Sequence, residues 1–186
     1  MNREGPVGDR YHTIDMGEDG YWTPIDKYPV DSSGDGVPDF LRSAEYFAYL
    51  FGSAGDAFQL PRIYNVRRSR LVDVTARPEF RPYLANQVDK AEARCRDAEP
   101  AVSSGGCPAF VALAAIFGRQ DAAWRIMLAV HRPQPDRRLP IQCPDGKVRT
   151  CDEGVPFRSY PEALLAYLKH YELVPADWRP PRTSAG

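Results

Sequence analysis

The chain has 186 residues, 43% of them hydrophobic and 26% charged, which is enough apolar material for a core and excludes a wholly disordered chain. Its 24 lysines and arginines nearly balance 25 aspartates and glutamates, and the net charge of −1 removes the usual electrostatic argument for a nucleic-acid or anionic-membrane partner. No run of the sequence approaches the roughly 18 apolar residues of a transmembrane helix. The first residues also lack the apolar run of a signal peptide.

The first 76 residues form a turn-rich part with the character of β-strands. Short strands are predicted at 11–14 and 21–30, the second interrupted by prolines. The clearest strand signal runs over 59–75, where branched apolar residues alternate with polar ones. Arg67-Arg68-Ser69-Arg70 is expected to turn this segment into a hairpin.

The segment from Phe40 to Phe51 fits two structures. Phe40, Ala44, Phe47 and Phe51 recur at helical spacing. The same stretch is rich in Tyr and Phe, which favour strands. We favour a strand, because a loop of the calcium-binding type directly before it often leads into a hairpin.

From residue 77 to residue 178 the pattern becomes helical. Helices are predicted over 79–95, 108–117 and 120–130, with Ser103-Ser104-Gly105-Gly106 as a flexible link between the first two. The segment 114–124 resembles the inter-helix turn of a tetratricopeptide-type hairpin, in one copy only. A last helix begins at Ser159, which forms a capping-box pattern with Glu162. Residues 179–186 read as a disordered tail.

Four cysteines fall into two pairs that are close in sequence. Cys143 and Cys151 enclose a turn, and Cys95 and Cys107 flank the serine-glycine segment. Two disulfides are favoured over four reduced thiols, and the spacing is wrong for a zinc knuckle. Disulfides place the protein in an oxidising compartment, so we expect a periplasmic or secreted location. The fold class predicted is α+β, with a small β-rich part packed on a disulfide-stapled helical part.

The sharpest motif is the nine-residue segment from Asp31 to Asp39. Oxygen-bearing side chains stand at positions 1, 3, 5 and 9, a backbone carbonyl at 7, and Gly36 allows a sharp turn, as in loops that bind Ca²⁺. Position 12 is Arg42 rather than Glu, so the loop is not an EF-hand. An Asp/Ser/Gly turn without an ion is the alternative. The predicted calcium ligands are Asp31, Ser33, Asp35, Val37 and Asp39.

A poorer loop precedes this one. Asp15, Asp19 and Asp26 could form a second ion site, but position 3 of that loop is a glycine without a ligand. A plain turn is the preferred interpretation.

The Asp31–Phe40 segment resembles the calcium loops of the VCBS/FG-GAP class, in which an Asp-rich loop joins strands of a β-repeat. Together with Tyr21-Trp22-Thr23-Pro24, Arg62-Ile63-Tyr64-Asn65 and Leu71-Val72-Asp73-Val74-Thr75, it is similar to uncharacterised exported proteobacterial proteins whose loop precedes a Cys-containing helical region. That class has no single activity, so the resemblance implies binding or adhesion.

No catalytic set is evident. The histidines, His12, His131 and His170, are far apart, and Glu45, Glu79, Asp89 and Glu92 are best read as a solvated face. A basic cluster could contact an anion but is more simply a solvated hairpin tip; its members are Arg62, Arg67, Arg68 and Arg70.

These observations favour an exported, calcium-stabilised, non-enzymatic binding protein. Its partner is expected to be a protein or an envelope component, not nucleic acid, and its oligomeric state stays open. The alternatives are an inhibitor or immunity protein acting on a secreted enzyme, and a hydrolase of cell-envelope material.

Overall fold

A computed structural model describes residues 29–44, 47–53, 55–68, 70–132, 139–149 and 151–181. The predicted strand at 11–14, most of that at 21–30, His12 and the second acidic loop lie outside these residues, as do residues 182–186. Within the described part the chain is α+β, as expected, with two small antiparallel sheets and four helices.

The first sheet contains three antiparallel strands in the order β1-β2-β3. Arg67 pairs with Arg70 across the predicted hairpin, and Arg68 takes a left-handed conformation (φ 50°) in the turn between them. The strand prediction over 59–75 is confirmed. The strands are β1 (Asp39–Ala44), β2 (Leu60–Arg67) and β3 (Arg70–Asp73).

The strand predicted for residues 40–51 is correct only for its first half. After β1 the described chain turns, with Tyr49 in a left-handed conformation (φ 62°). Phe47 and Phe51 are buried and pack against Tyr167 of the last helix. A turn suits these residues because it places both phenylalanines on the same side, towards the helices.

The helical part forms a hairpin of two antiparallel helices followed by two shorter helices. A second, very small antiparallel sheet, in the order β5-β4-β6, precedes the last helix. The elements are α1 (Arg81–Cys95), α2 (Pro100–Ala115), α3 (Gln120–Val130), β4 (Ile141–Gln142), β5 (Val148–Arg149), β6 (Val155–Pro156) and α4 (Tyr160–His170). The Ser159 hydroxyl accepts a hydrogen bond from the Glu162 amide, which confirms the predicted cap of α4.

The expected flexible link at Ser103–Gly106 is wrong, because this segment lies inside α2 and is buried. A Cβ on Gly106 would lie 2.7 Å from the Arg94 backbone, and one on Gly105 would lie 2.4 Å from the Asp56 carbonyl oxygen. The glycines therefore allow α1 and the 53–58 loop to approach α2 at backbone distance. Each glycine destabilises a helix by about 1 kcal/mol relative to alanine, and the close packing offsets this cost.

Pro108 also lies inside α2 and cannot donate to the Ser104 carbonyl four residues earlier. The Tyr160 hydroxyl donates a 2.7 Å hydrogen bond to that carbonyl instead. A buried carbonyl requires such a partner. The start of α4 is thus fixed to the middle of α2.

The core joins the two parts of the chain. Its larger cluster combines Phe47, Phe51 and Leu60 with side chains of all four helices. A smaller cluster lies between the first sheet and the start of α1 and contains Leu41, Ile63, Val74, Phe80 and Leu84.

The close approach at Gly105 generates a prediction. Gly105→Ala should lower the free energy of unfolding by about 1–3 kcal/mol, as overpacking does, although alanine normally favours a helix. Urea unfolding measures the change. Gly55→Ala is the control, because a Cβ added at Gly55 would lie 3.9 Å from its nearest neighbour, the Ser53 hydroxyl oxygen. Equal stabilities for the two variants would contradict the packing argument.

A second prediction concerns the Ser104 carbonyl, to which Pro108 cannot donate and Tyr160 does. Tyr160→Phe should cost about 1 kcal/mol, the net contribution of one buried hydrogen bond. In a Pro108→Ala background the new amide can donate to the Ser104 carbonyl, so the same change should cost less. A double-mutant cycle from denaturant unfolding measures this coupling. Identical costs in both backgrounds would show that the tyrosine does not replace the proline's missing donor.

Candidate functional site

The loop predicted to bind calcium wraps around the carboxylate of its first residue. Asp31 accepts hydrogen bonds from the amides of Gly34 (2.7 Å), Asp35 (3.1 Å) and Gly36 (2.9 Å). The Gly36 amide is the main cause that holds the pKa of Asp31 below its ordinary value. Gly34 and Gly36 both have positive φ, which lets the amides converge on one point.

The last residue of the loop faces inwards. Asp39 is only 1% exposed. One of its carboxylate oxygens accepts from the Asn65 side chain (2.6 Å), and the other accepts from the amides of Ser32 (2.8 Å) and Ser33 (3.3 Å). Asp39 and Asn65 are direct partners in the β1–β2 register. This carboxylate therefore connects the loop to the sheet.

Asn65 is a structural residue that the sequence analysis missed. A buried asparagine within a strand needs a polar partner, and that requirement was the available signal. The opposing residue could be identified only from the strand register.

The five predicted calcium ligands belong to one ordered loop, and the carboxylates of Asp31, Asp35 and Asp39 each accept hydrogen bonds from N–H groups. Those of Asp31 and Asp39 are directed at backbone and side-chain N–H groups, and Asp35 accepts from the Val37 amide (2.9 Å). Across the described ranges, no three His, Cys, Asp or Glu side chains come together as a metal site. The described conformation is held by N–H donors; Asp31 and Asp35 are exposed, and Ser33 is half-buried.

All four cysteines are paired as predicted, Cys95 with Cys107 and Cys143 with Cys151. The first pair is completely buried and joins the end of α1 to the middle of α2. The Ser103 hydroxyl donates to the Cys95 carbonyl (2.7 Å) beside it. The second pair closes the loop around the small sheet, where Cys151 is half-buried. Disulfides of this kind require an oxidising compartment.

The two described histidines serve packing. The His131 ring stacks on Tyr160 with ring centroids 4.0 Å apart, and burial lowers its pKa. His170 contacts Tyr171 edge to face, with centroids 4.7 Å apart. Burial therefore favours the neutral form of the His131 ring.

A groove of about 370 Å³ lies where the first sheet meets the ends of α2 and α4. An ion pair between Arg62 and Asp73 (3.0 Å) borders it, and the exposed Glu172 stands on its rim. Its described walls include no histidine, and most of them are apolar: Leu60, Pro61, Ala112, Leu113, Ile116 and Leu173. Such a groove offers contact area for binding.

The predicted basic cluster is divided in the structure. Arg62 pairs with Asp73 at the groove, whereas the other three arginines lie exposed at the turn between β2 and β3. No helix in the described part of the chain is long and apolar enough to span a membrane.

A family model described as the sll0997 C-terminal domain matches residues 80–172, which is half of the chain. The chain belongs to this family. The sll0997 C-terminal domain thus comprises all four helices, the small sheet and both disulfides of this chain. The first sheet and the Asp31–Asp39 loop precede it.

A curated relative is the "Probable thylakoid lumen protein sll0997" of Synechocystis sp., which is 26% identical over 140 residues. The match covers 74% of this chain and 41% of the relative, so the chain spans about two fifths of that protein's length. No solved structure matches the chain significantly.

These matches give a family other than the one expected from the Asp-rich loop. Neither description names the VCBS/FG-GAP class or a proteobacterial protein. The sll0997 C-terminal domain begins after the loop that carried that resemblance, so the expected proteobacterial likeness is not supported.

The different burial of the two disulfides generates a prediction. In the native protein a mild reductant should open Cys143–Cys151 first, because Cys151 is half-buried while Cys95 and Cys107 are both 0% exposed. Intact mass after alkylation should show two added labels before four, and peptide mapping should place the first two on Cys143 and Cys151. Four labels without any reductant would contradict both disulfides, and first labels on Cys95 and Cys107 would contradict the order.

Proposed function

We propose that the chain is a disulfide-stabilised binding domain, without enzymatic activity, that acts outside the cytoplasm. The observation that carries the proposal is the pairing of all four cysteines, because paired structural cysteines belong to oxidising compartments. The relative's name adds support, since a thylakoid lumen lies outside the cytoplasm. A periplasmic or secreted location fits the same chemistry.

Binding without catalysis is supported by the groove. Its described wall offers apolar side chains, and the charged groups beside it compensate each other in the Arg62–Asp73 pair. The Thr75 hydroxyl accepts from the Ile63 amide (2.8 Å), so it is engaged within the sheet. Contact with a protein or an envelope component is the activity that such a surface supports.

Calcium is proposed as the ion that orders the Asp31–Asp39 segment. The oxygens that would hold it are those of the Asp31, Ser33, Asp35 and Asp39 side chains and the Val37 carbonyl. The carboxylates of Asp31 and Asp39 would exchange N–H donors for the ion. Bound calcium would supply positive charge that offsets repulsion among the carboxylates. The loop leads directly into β1, so ordering it would stabilise the first sheet.

The calcium proposal is tested by thermal unfolding in millimolar calcium and in chelator. The midpoint should rise with calcium, because a ligand that binds only the folded state stabilises it by mass action. Asp35→Asn should abolish the rise, whereas Asp152→Asn, an exposed carboxylate near the second disulfide, is the charge-matched control and should preserve it. No shift in the wild type would leave Asp31–Asp39 as a self-contained turn.

A further inference from the structure

The turn between β2 and β3 carries three exposed arginines. Arg67, Arg68 and Arg70 form no ion pair with any residue of the described chain, whereas Arg62, Arg77, Arg96 and Arg149 each pair with a carboxylate. We name these three residues the arginine tip. It concentrates positive charge on a chain whose net charge is −1.

The strand register makes this concentration unfavourable for the hairpin alone. Arg67 and Arg70 are direct cross-strand partners, and like charges in that position destabilise a sheet. Arg68 between them adds a third charge in a left-handed conformation (φ 50°) that favours glycine. An anion at the tip would remove this repulsion.

The three side chains also border a common space. Arg67, Arg68, Arg70 and Val72 line an open recess of about 640 Å³. Guanidinium groups present planar sets of N–H donors that match the oxygens of a phosphate group. The recess therefore suits an oxyanion that accepts from more than one arginine.

We propose that the arginine tip binds the phosphodiester headgroups of an anionic membrane surface. A specific protein interface needs about 1,000 Å² of buried surface, which the end of one hairpin does not supply. A bilayer surface needs no complementary shape and attracts each basic residue near it. Val72, 36% exposed on the same recess, adds an apolar contact at headgroup depth.

This inference extends the proposed binding function to one kind of surface, and its test is carried out without calcium. The net charge of −1 gives the whole chain no attraction to an anionic bilayer, so contact would be oriented with the tip towards the lipid. Charge at the tip is the quantity that the experiment must change.

The test is sedimentation with vesicles of 30% phosphatidylglycerol in phosphatidylcholine, at low salt and in chelator so that calcium cannot bridge protein and lipid. The wild type should partition onto these vesicles and not onto pure phosphatidylcholine, and added salt should release it. Arg67→Gln/Arg68→Gln/Arg70→Gln should weaken partitioning by about 100-fold, from about fivefold per arginine. Val72→Ser should weaken it by a smaller factor.

The matched control is Arg125→Gln/Arg132→Gln/Arg179→Gln, three exposed arginines that lie on or after α3 and in the C-terminal segment. It changes the net charge equally and should retain partitioning, while unfolding curves verify that both triple variants fold. Equal losses in the two triple variants would overturn the proposal, as would no binding by the wild type. Saturable binding of inorganic phosphate or of an acidic peptide at the tip without vesicle binding would also overturn the membrane assignment.

The calcium experiment and the vesicle experiment can fail separately. If the unfolding midpoint does not rise with calcium, vesicle binding in chelator would be unaffected. Loss of vesicle binding would leave the calcium response of the Asp31–Asp39 loop unaffected.

Discussion

The close approach of backbones at Gly105 and Gly106 is the constraint on which the rest of the structure depends. At this point α2 contacts both α1 and the 53–58 loop, where a single added methyl group would collide with backbone atoms. The Phe58 amide donates to the Gly105 carbonyl (3.1 Å), and Arg94 donates to the carbonyls of residues 55 and 56. The loop that leads into β2 is thereby fixed to the helical hairpin. The Cys95–Cys107 disulfide joins the same two helices one residue beyond this contact.

A second set of contacts extends from α2 to the last helix. Pro108 removes one helical hydrogen bond, and Tyr160 supplies the replacement. The Tyr160 ring then stacks on His131 and contacts Phe51 edge to face, with ring centroids 5.5 Å apart. The Tyr160 side chain thus contacts α2, the end of α3 and the turn after β1. The C-terminal segment is held similarly, since Trp178 packs on Trp124 and donates to Asp121 (2.6 Å).

The first sheet presents several distinct chemical groups to solvent. One end carries the Asp31–Asp39 loop, anchored through the buried Asp39–Asn65 pair. The hairpin carries the arginine tip, and the base of the sheet borders the apolar groove. The strand register places the Asp31–Asp39 loop and the arginine tip at the same end of the sheet, because Asp39 pairs with Asn65 and Arg67, two residues further along β2, pairs with Arg70. The sll0997 C-terminal domain supplies the rigid support for these features.

Local signals in the sequence determined a large share of this fold. Alternation over 59–75 identified β2 and β3, and the Ser159–Glu162 pattern located the start of α4. The cysteine spacing identified both disulfides. A short loop around a turn brings Cys143 and Cys151 together, whereas Cys95 and Cys107 meet where the end of α1 packs on the middle of α2. The Asp-rich segment predicted a tight loop of carboxylates and glycines, which the structure contains. These results share one physical reason: each depends on residues that are close in sequence.

The tertiary structure decided what depends on distant neighbours. Ser103–Gly106 reads locally as flexible, but contact with α1 and the 53–58 loop makes the same small residues the best fit for a buried helix. The register of β1 and β2 places Asp39 opposite Asn65 and buries it, a pairing that the sequence alone did not indicate. The sequence groups Arg62 with the basic cluster, but in the structure Arg62 pairs with Asp73 at the groove and is not part of the arginine tip. In each case the energy comes from a partner far along the chain, and sequence spacing carries no information about which partner arrives.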